Sequence, residues 1–314
     1  MRVSVVVPAH DAARHLGAAL DGLLAELPED GEIIVVDDAS RDETASVLER
    51  YGARIQVIRN DAAVGPGPAR NRGARSATGD VLAFHDADDL VLRGRLSALV
   101  PLLRDGENDL VFGNGVLIDP DGDERGPVIP RRYARRLRRN AGPAELLDGS
   151  FVYPQALCIR RAAFEELGGF GRGFVRGGLT VGVAEDWEFA LRASLRFRLR
   201  FEDRPVFAYR RHAASITTAA AADCAEANLA MLEDFVGRHP ELVARAGRRV
   251  VEIALARRLA RFARHLELSG RREDARAALE RAIGLAPRWV RLRWRRLRLR
   301  RDARAAEHSL DSLP

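Results

Sequence analysis

Apolar and polar positions in the first ninety residues fall into blocks that switch between two periods. Val3–Val7, Ile33–Val36 and Val81–Phe84 are short continuous apolar runs, with the length and composition of buried strands. Arg54–Ile58 reads as a further strand. Between them, Leu16, Leu20, Leu23, Leu24 and Leu27 recur at helical spacing. Ser40-Arg41-Asp42-Glu43 reads as a capping box, with Ser40 as N-cap and Glu43 at the third helical position. Gly65-Pro66-Gly67-Pro68 leads into a helix from Arg70 to Ala77. Strands alternating with helices predict an α/β fold with a doubly wound, mostly parallel sheet. Right-handed crossovers then bring the C-terminal ends of the strands to one edge.

The pattern weakens from Leu90 to Ser150. Leu92, Leu96, Leu99, Leu102 and Leu103 predict a helix, and Leu110–Phe112 and Val116–Ile118 two short strands. Asp119-Pro120-Asp121-Gly122-Asp123 spaces its carboxylates somewhat like a calcium loop, but Glu124 stands where the loop needs glycine, so a hairpin turn is expected. Arg131–Arg139 is a basic run on a solvated face that could also meet an anionic acceptor. The glycine-rich stretch 171–182 reads as a mobile loop, and Ala184-Glu185-Asp186-Trp187 opens a helix. After about Ala219 only helical spacing remains, over Ala225–Val236, Leu242–Leu268 and Arg272–Ala286. The expected division is an α/β domain over 1–218 and a helical region over 219–314. Leu259, Phe262, Ala263, Leu266, Ala275, Leu279, Ala282 and Pro287 have the spacings of one tetratricopeptide-like helix pair, a packing style and not a repeat array.

Composition narrows the picture. The chain has 314 residues, of which 46% are apolar, and no segment approaches membrane-spanning length. The opening residues are too short an apolar run for a signal peptide and read as a strand. Cys158 and Cys224 form no metal-type spacing and fit a reducing cytoplasm. Every basic side chain is arginine, and the net charge of +6 gathers in a tail, 288–301, that mixes arginine with tryptophan and leucine. Such a tail suits peripheral contact with an anionic membrane face, or a helix packed with its arginines outward. No nucleic-acid-binding module surrounds it, so nucleic acid is not an expected partner.

The chemistry gathers where Val81–Phe84 ends in Asp86-Ala87-Asp88-Asp89. Three carboxylates in four positions are costly to bury unless they face solvent, a cation or positive donors. Two readings stand: a divalent-metal site holding a phosphorylated substrate, or an acidic turn capping a helix that starts near Leu90. Ile33–Val36 ends in Asp37-Asp38, and the parallel topology puts both acidic clusters at one edge. Glu185 and Asp186, in the first turn of their helix, favour the helix dipole and also occupy a common position for a general base. His212 earns no role by itself.

These residues resemble family 2 glycosyltransferases of the GT-A fold. Val5-Val6-Val7-Pro8-Ala9-His10-Asp11 is similar to the family's opening strand and turn, with His10-Asp11 in place of the usual Tyr-Asn pair. Ile34–Thr44, Gly67–Gly73 with Ala77–Asp80, and Phe84–Asp89 follow in family order, the last as the DxD stretch. Ala162–Phe164, Gly168–Phe170, Glu185–Trp187 and Tyr209–His212 complete the series. The resemblance covers about 1–218 and implies an inverting transfer of a sugar from a UDP-, dTDP- or GDP-sugar to a saccharide or lipid-linked acceptor in cell-envelope or polysaccharide synthesis. It places Pro8 and Asp11 beside the nucleoside, Asp37 and Asp38 on the base or ribose, and Arg70 near the diphosphate or base. It makes Asp86 and Asp88, with His212, holders of Mn²⁺ or Mg²⁺. Asp186 is implied as the general base, with Glu185 in reserve. A nucleotidyltransferase would need a glycine-rich, basic signature after the first strand, which His10-Asp11-Ala12-Ala13 does not supply. The reading from another class is a catalytically idle nucleotide-sugar-binding or scaffold protein that recruits a partner through its helical region. Retention of Asp86, Asp88, Asp186 and His212 argues against it.

Overall fold

The computed structural model describes residues 1–119, 122–179, 182–210 and 220–288. The chain forms two compact units: Met1–Gly173 with Thr180–Ser215, and Phe174–Leu179 with Ile216–Pro314.

The first unit begins as the apolar blocks dictate: β1 (Val3–Ala9), α1 (Ala13–Glu26), β2 (Glu32–Asp37), α2 (Thr44–Glu49), β3 (Gln56–Arg59), α3 (Pro66–Ser76) and β4 (Val81–Phe84). It continues through β5 (Leu90–Val91), α4 (Arg95–Leu99), β6 (Leu110–Ile118), β7 (Glu124–Pro127), α5 (Arg131–Arg139) and α6 (Pro143–Leu146). β8 (Leu157–Arg160), α7 (Arg161–Leu167), α8 (Glu185–Arg196) and β9 (Leu199–Arg210) complete it. The nine strands among the described residues form one sheet, in the order β3-β2-β1-β4-β8-β6-β9-β5 with β7 on β6. β1 to β4 are mutually parallel, with Val5 level with Ile33 and Ala83. β8 enters antiparallel between β4 and β6, so β4, β6 and β9 all point to the same edge. One face of the sheet buries Val5, Val7, Val35 and Ala83 against Leu16, Leu20 and Leu23 of α1 and Leu96 and Leu99 of α4.

Three local expectations change. The two short strands around Gly113-Asn114-Gly115 are one nine-residue strand, β6. Glycine keeps it continuous: a Cβ would lie 2.5 Å from Val206 Cγ2 at position 113 and 2.5 Å from Phe207 Cε1 at position 115, so β9 can cross here only over bare backbone. The helix expected over Leu92–Leu103 shortens to α4 followed by a 3₁₀ turn at Val100–Leu103, because Pro101 has no N–H for the α-helical ladder. The capping box does not form. α2 starts at Thr44, whose N–H donates to Asp42 Oδ1 at 3.0 Å, while Ser40 is used in the turn after β2.

The second unit contains α9 (Ala221–Arg238), α10 (Pro240–Ala246), α11 (Arg248–Leu268) and α12 (Arg272–Leu285). The single helix expected over Leu242–Leu268 is broken at Gly247, whose φ of +87° no helix accommodates. Leu259, Ala263, Leu266, Ala275, Leu279 and Ala282 share one buried cluster, as the helix-pair spacing predicts, and Leu229 of α9 joins it, while Pro287 is exposed. Part of the expected mobile stretch is tied within this unit, since Gly178 N–H donates to Asp223 Oδ2 at 3.0 Å. No described helix is long and apolar enough to cross a membrane. His212 and the tail from 289 lie outside the described residues.

Candidate active site at the edge of the parallel strands

The turns after β1 and β2 interlock. Asp38 N–H donates to Ala9 O at 2.7 Å, His10 Nδ1 to Asp38 O at 2.7 Å, and Asp11 N–H to Ser40 Oγ at 3.1 Å. Asp11 returns the contact, accepting Arg41 N–H at 2.7 Å. Asp37 and Asp38 are both buried. Asp37 accepts Ser40 N–H at 2.9 Å and lies 3.5 Å from Arg59 Nε. Asp38 accepts Val64 N–H at 2.9 Å, Gly65 N–H at 2.8 Å and Asn60 Nδ2 at 2.5 Å. The structure therefore puts this pair at the expected edge, with its carboxylates bracing the chain. Pro8 is half-buried, and His10 and Asp11 are exposed at the end of β1.

Arg70 carries the centre of the site. Its guanidinium donates through one terminal nitrogen to Asp86 Oδ1 at 2.6 Å and through the other to Glu185 Oε1 at 2.9 Å. It lies 5.3 Å from the centre of the Phe170 ring. The side chain of Arg70 is 4% exposed, that of Glu185 9% and that of Asp86 26%, so only Asp86 opens to the crevice. Arg70 thus stands behind Asp86, joining β4's end to α8's start. Burial raises the Glu185 carboxyl to about 7 even against the attraction of Arg70. The close passage depends on Gly67: a Cβ there would sit 2.3 Å from Gly171 O and 3.1 Å from Glu185 Cγ.

Asp186 follows Ala184, which has a left-handed φ of +67°. Its Oδ2 accepts the Ser150 hydroxyl at 2.9 Å and its Oδ1 accepts Trp187 N–H at 2.7 Å. Burial raises its pKa, while Ser150 and the Trp187 N–H pull the other way. Trp187 anchors the turn from below, fully buried, with Nε1 donating to Leu146 O at 2.8 Å. The structure joins Asp86, Arg70 and Glu185 in one network, with Asp186 next to Glu185 in the first turn of α8, and Asp88 lies half-buried in the same turn as Asp86.

Asp89 is not a helix cap, since α4 begins only at Arg95. It is buried and accepts Gln155 Nε2 at 2.6 Å and Arg210 N–H at 2.9 Å, tying β9's end to the acidic turn. Burial, Asp88 and Asp86 together push its pKa well above the usual carboxylate range. Beneath it, Arg95 donates to Phe84 O at 2.5 Å, and burial with the Arg95 charge lowers His85 to about 3, which keeps that ring neutral.

Among the described residues no three His, Cys, Asp or Glu side chains form a group that could hold a metal ion by themselves. Asp86 and Asp88 offer hard carboxylate oxygens in one turn. That donor set fits Mg²⁺ or Mn²⁺, which take one or two protein carboxylates and complete their shell with water and substrate phosphate.

Residues 4–168, more than half of the chain, match the model of glycosyl transferase family 2. The chain belongs to that family. Its α/β sheet with C-terminal helices is the GT-A fold. S. aureus TarS, residues 1–349 in complex with UDP-GlcNAc, superposes with a TM-score of 0.64 at 20% identity, over 91% of this chain and 82% of that one. The mannosyltransferase PcManGT from Pyrobaculum calidifontis, in complex with GDP-Man and Mn²⁺, gives 0.61 at 22% identity, over 99% and 88%. In sequence, the Escherichia coli UDP-Glc:α-D-GlcNAc-diphosphoundecaprenol β-1,3-glucosyltransferase WfgD is 28% identical over 142 residues, 45% of this family 2 chain. The match spans 56% of WfgD, and other curated relatives are matched over 24% to 62% of their length.

Proposed function

We propose that the chain transfers a sugar from a nucleoside-diphosphate donor to an acceptor hydroxyl, with inversion and with a divalent cation. The observation that supports this reading is the network itself: Arg70 ties the donor-side carboxylate Asp86 to Glu185, the α8 residue immediately before Asp186. The names of WfgD, TarS and PcManGT, with their nucleotide sugars, support the donor class.

Pro8 and Asp11 border the nucleoside, in a wall that Asp37 and Asp38 keep in shape. Asp86 and Asp88 would hold Mn²⁺ or Mg²⁺, which when bound offsets charge developing on the leaving diphosphate. Glu185 is locked against Arg70 and acts as a positioning residue. Asp186 takes the proton from the acceptor hydroxyl as that oxygen attacks the anomeric carbon, and Ser150 fixes the carboxylate's orientation. A single displacement inverts the centre and needs no covalent enzyme nucleophile. The acceptor is a saccharide or lipid-linked saccharide, reached in the cytoplasm or at the inner face of the membrane.

The test is nucleoside diphosphate release from a panel of nucleotide sugars with Mn²⁺. Asp88→Ala should abolish metal-dependent donor binding. Asp186→Asn should bind donor nearly as the wild type does and lose transfer; full transfer by that variant would remove Asp186 from the base role. No binding or turnover of any donor by the wild type would leave the idle scaffold as the better reading.

A further inference from the structure

Beneath the acidic turn lies a guanidinium that no carboxylate neutralises. Arg95, the first residue of α4, is fully buried, pairs with no Asp or Glu among the described residues, and leaves its Nε without a partner. Arginine does not shed its proton in a protein, so a full charge sits in the core. An unpaired buried charge is costly, and an apolar side chain of similar volume would fill the same space at lower cost.

The hydrogen bonds of Arg95 show what the charge is used for. One terminal nitrogen donates to Phe84 O at 2.5 Å, and the other faces His85 Nδ1 at 3.5 Å. On the far side of the ring, His85 Nε2 lies 3.2 Å from Asp89 O. A carbonyl only accepts and a guanidinium only donates, so both neighbours require one tautomer, with the proton on Nε2 and the lone pair on Nδ1. Arg95 therefore holds Phe84 O directly and Asp89 O through His85. Those two carbonyls bracket Asp86-Ala87-Asp88, and Asp89 N–H closes the same turn on Asp86 O at 3.3 Å. The brace has an anchor of its own: Gly94, with φ of +84°, donates its N–H to Glu26 Oε1 at 2.7 Å and so ties the start of α4 to α1.

We propose that Arg95 and His85 are a positioning pair that sets the Asp86 and Asp88 carboxylates for a divalent cation. The cation's place rests on the transferase reading; the brace under the turn does not. Mg²⁺ demands near-ideal octahedral geometry, so two ligands in one short turn serve it only where the turn is fixed. Both side chains are fully buried and act through main-chain atoms of the turn. The positive charge of Arg95 by itself opposes a cation nearby, so the pair works by geometry. Burial, then the Arg95 charge, keeps the His85 ring neutral. Replacing His85 thus alters the hold on the turn without altering its charge.

The test titrates Mn²⁺ into the full chain with UDP, dTDP or GDP and follows bound Mn²⁺ by electron paramagnetic resonance, against the same nucleotide without protein. His85→Leu should weaken Mn²⁺ about ten- to hundredfold, the effect of losing a partner behind a metal ligand. His85→Gln, whose amide can accept from Arg95 and donate to Asp89 O, should recover most of that loss. Arg95→Lys keeps the charge but offers one nitrogen in place of two, and should weaken Mn²⁺ in the same direction; it decides the matter if His85→Leu does not fold. Melting temperatures are measured alongside. A lower melting temperature in His85→Leu with unchanged Mn²⁺ affinity would make the pair a core element only and overturn the proposal. A loss that His85→Gln does not recover would overturn the hydrogen-bonded brace. If the wild type takes up no Mn²⁺ with any of the nucleotides, or Asp88→Ala takes it up as the wild type does, the cation reading falls and the pair's role with it. If Asp88→Ala loses Mn²⁺ while His85→Leu and Arg95→Lys keep it, the pair fails and the transferase stands.

Discussion

Replacing Arg70 by methionine tests whether one guanidinium holds the site together. The side chain is fully buried, with ion pairs at 2.6 Å to Asp86 and 2.9 Å to Glu185. Removing one partner of a buried pair costs about 3–5 kcal/mol, because the remaining charges keep their desolvation penalty. Glu185 makes that cost depend on pH. Its folded pKa is raised from 4.5 to about 7, so the fold favours its neutral form. Its contribution to stability is fully present below 4.5 and is lost as pH rises to about 7, a swing of roughly 3 kcal/mol at 1.36 kcal/mol per unit. Without Arg70 the attraction that lowers this pKa disappears, so the loss continues to higher pH. The deficit of Arg70→Met against the wild type should therefore be larger at pH 8 than at pH 5, where Glu185 is mostly neutral in both folds. Urea denaturation of both proteins at the two pH values measures it. Glu185→Gln, made in both backgrounds, should remove the difference between the two pH values. An equal deficit at pH 5 and pH 8 would refute the claim that Arg70 compensates a buried Glu185 charge.

Three further outcomes follow from the geometry. Gly67→Ala must displace Gly171 O, a backbone atom 2.3 Å from the new Cβ, at about 1–3 kcal/mol, and should weaken donor turnover as well as lower the melting temperature. Ser150→Ala removes a hydrogen bond that lowers the Asp186 pKa, so the acidic limb of the kcat/KM profile should move to higher pH, with donor binding unchanged. Leu279→Ala, at a fully buried position in the helical unit, should cost about 2–5 kcal/mol. Hydrogen exchange should then quicken in α11 and α12 and stay slow in β1 to β4.

β1, β2 and β4 were legible because they are buried on both faces and read as unbroken apolar runs, so Val3–Ala9, Glu32–Asp37 and Val81–Phe84 appear almost residue for residue. β6 was harder: Gly113-Asn114-Gly115 looks like an interruption, and only the closeness of Val206 and Phe207 shows that glycine is what keeps the strand whole. In the helical unit, apolar spacing identified the buried positions of α11 and α12 but could not show that Gly247 takes a positive φ.

The carboxylates of the site could be found from their types and from strand order, but their hydrogen-bond partners could not. Partners such as Arg70 and Glu185, 115 residues apart, or Ser150 and Asp186, 36 apart, have no period linking them. Three non-glycine residues among those described, Asp11, Ala39 and Ala184, adopt positive φ at the ends of β1 and β2 and the start of α8. Each such conformation costs of order 1–3 kcal/mol and persists only where its surroundings over-determine it. Those surroundings are visible here: Asp11 is held through both its N–H and its carboxylate, and Ala39 lies between Asp38, which accepts two backbone N–H groups, and Ser40, whose N–H reaches Asp37. Ala184 lies just before the Arg70–Glu185 pair. The strain and the polar network that offsets it thus occur at the same edge. An alanine in the left-handed region looks like any other alanine in a sequence, so the cost of building this edge is visible only in the fold.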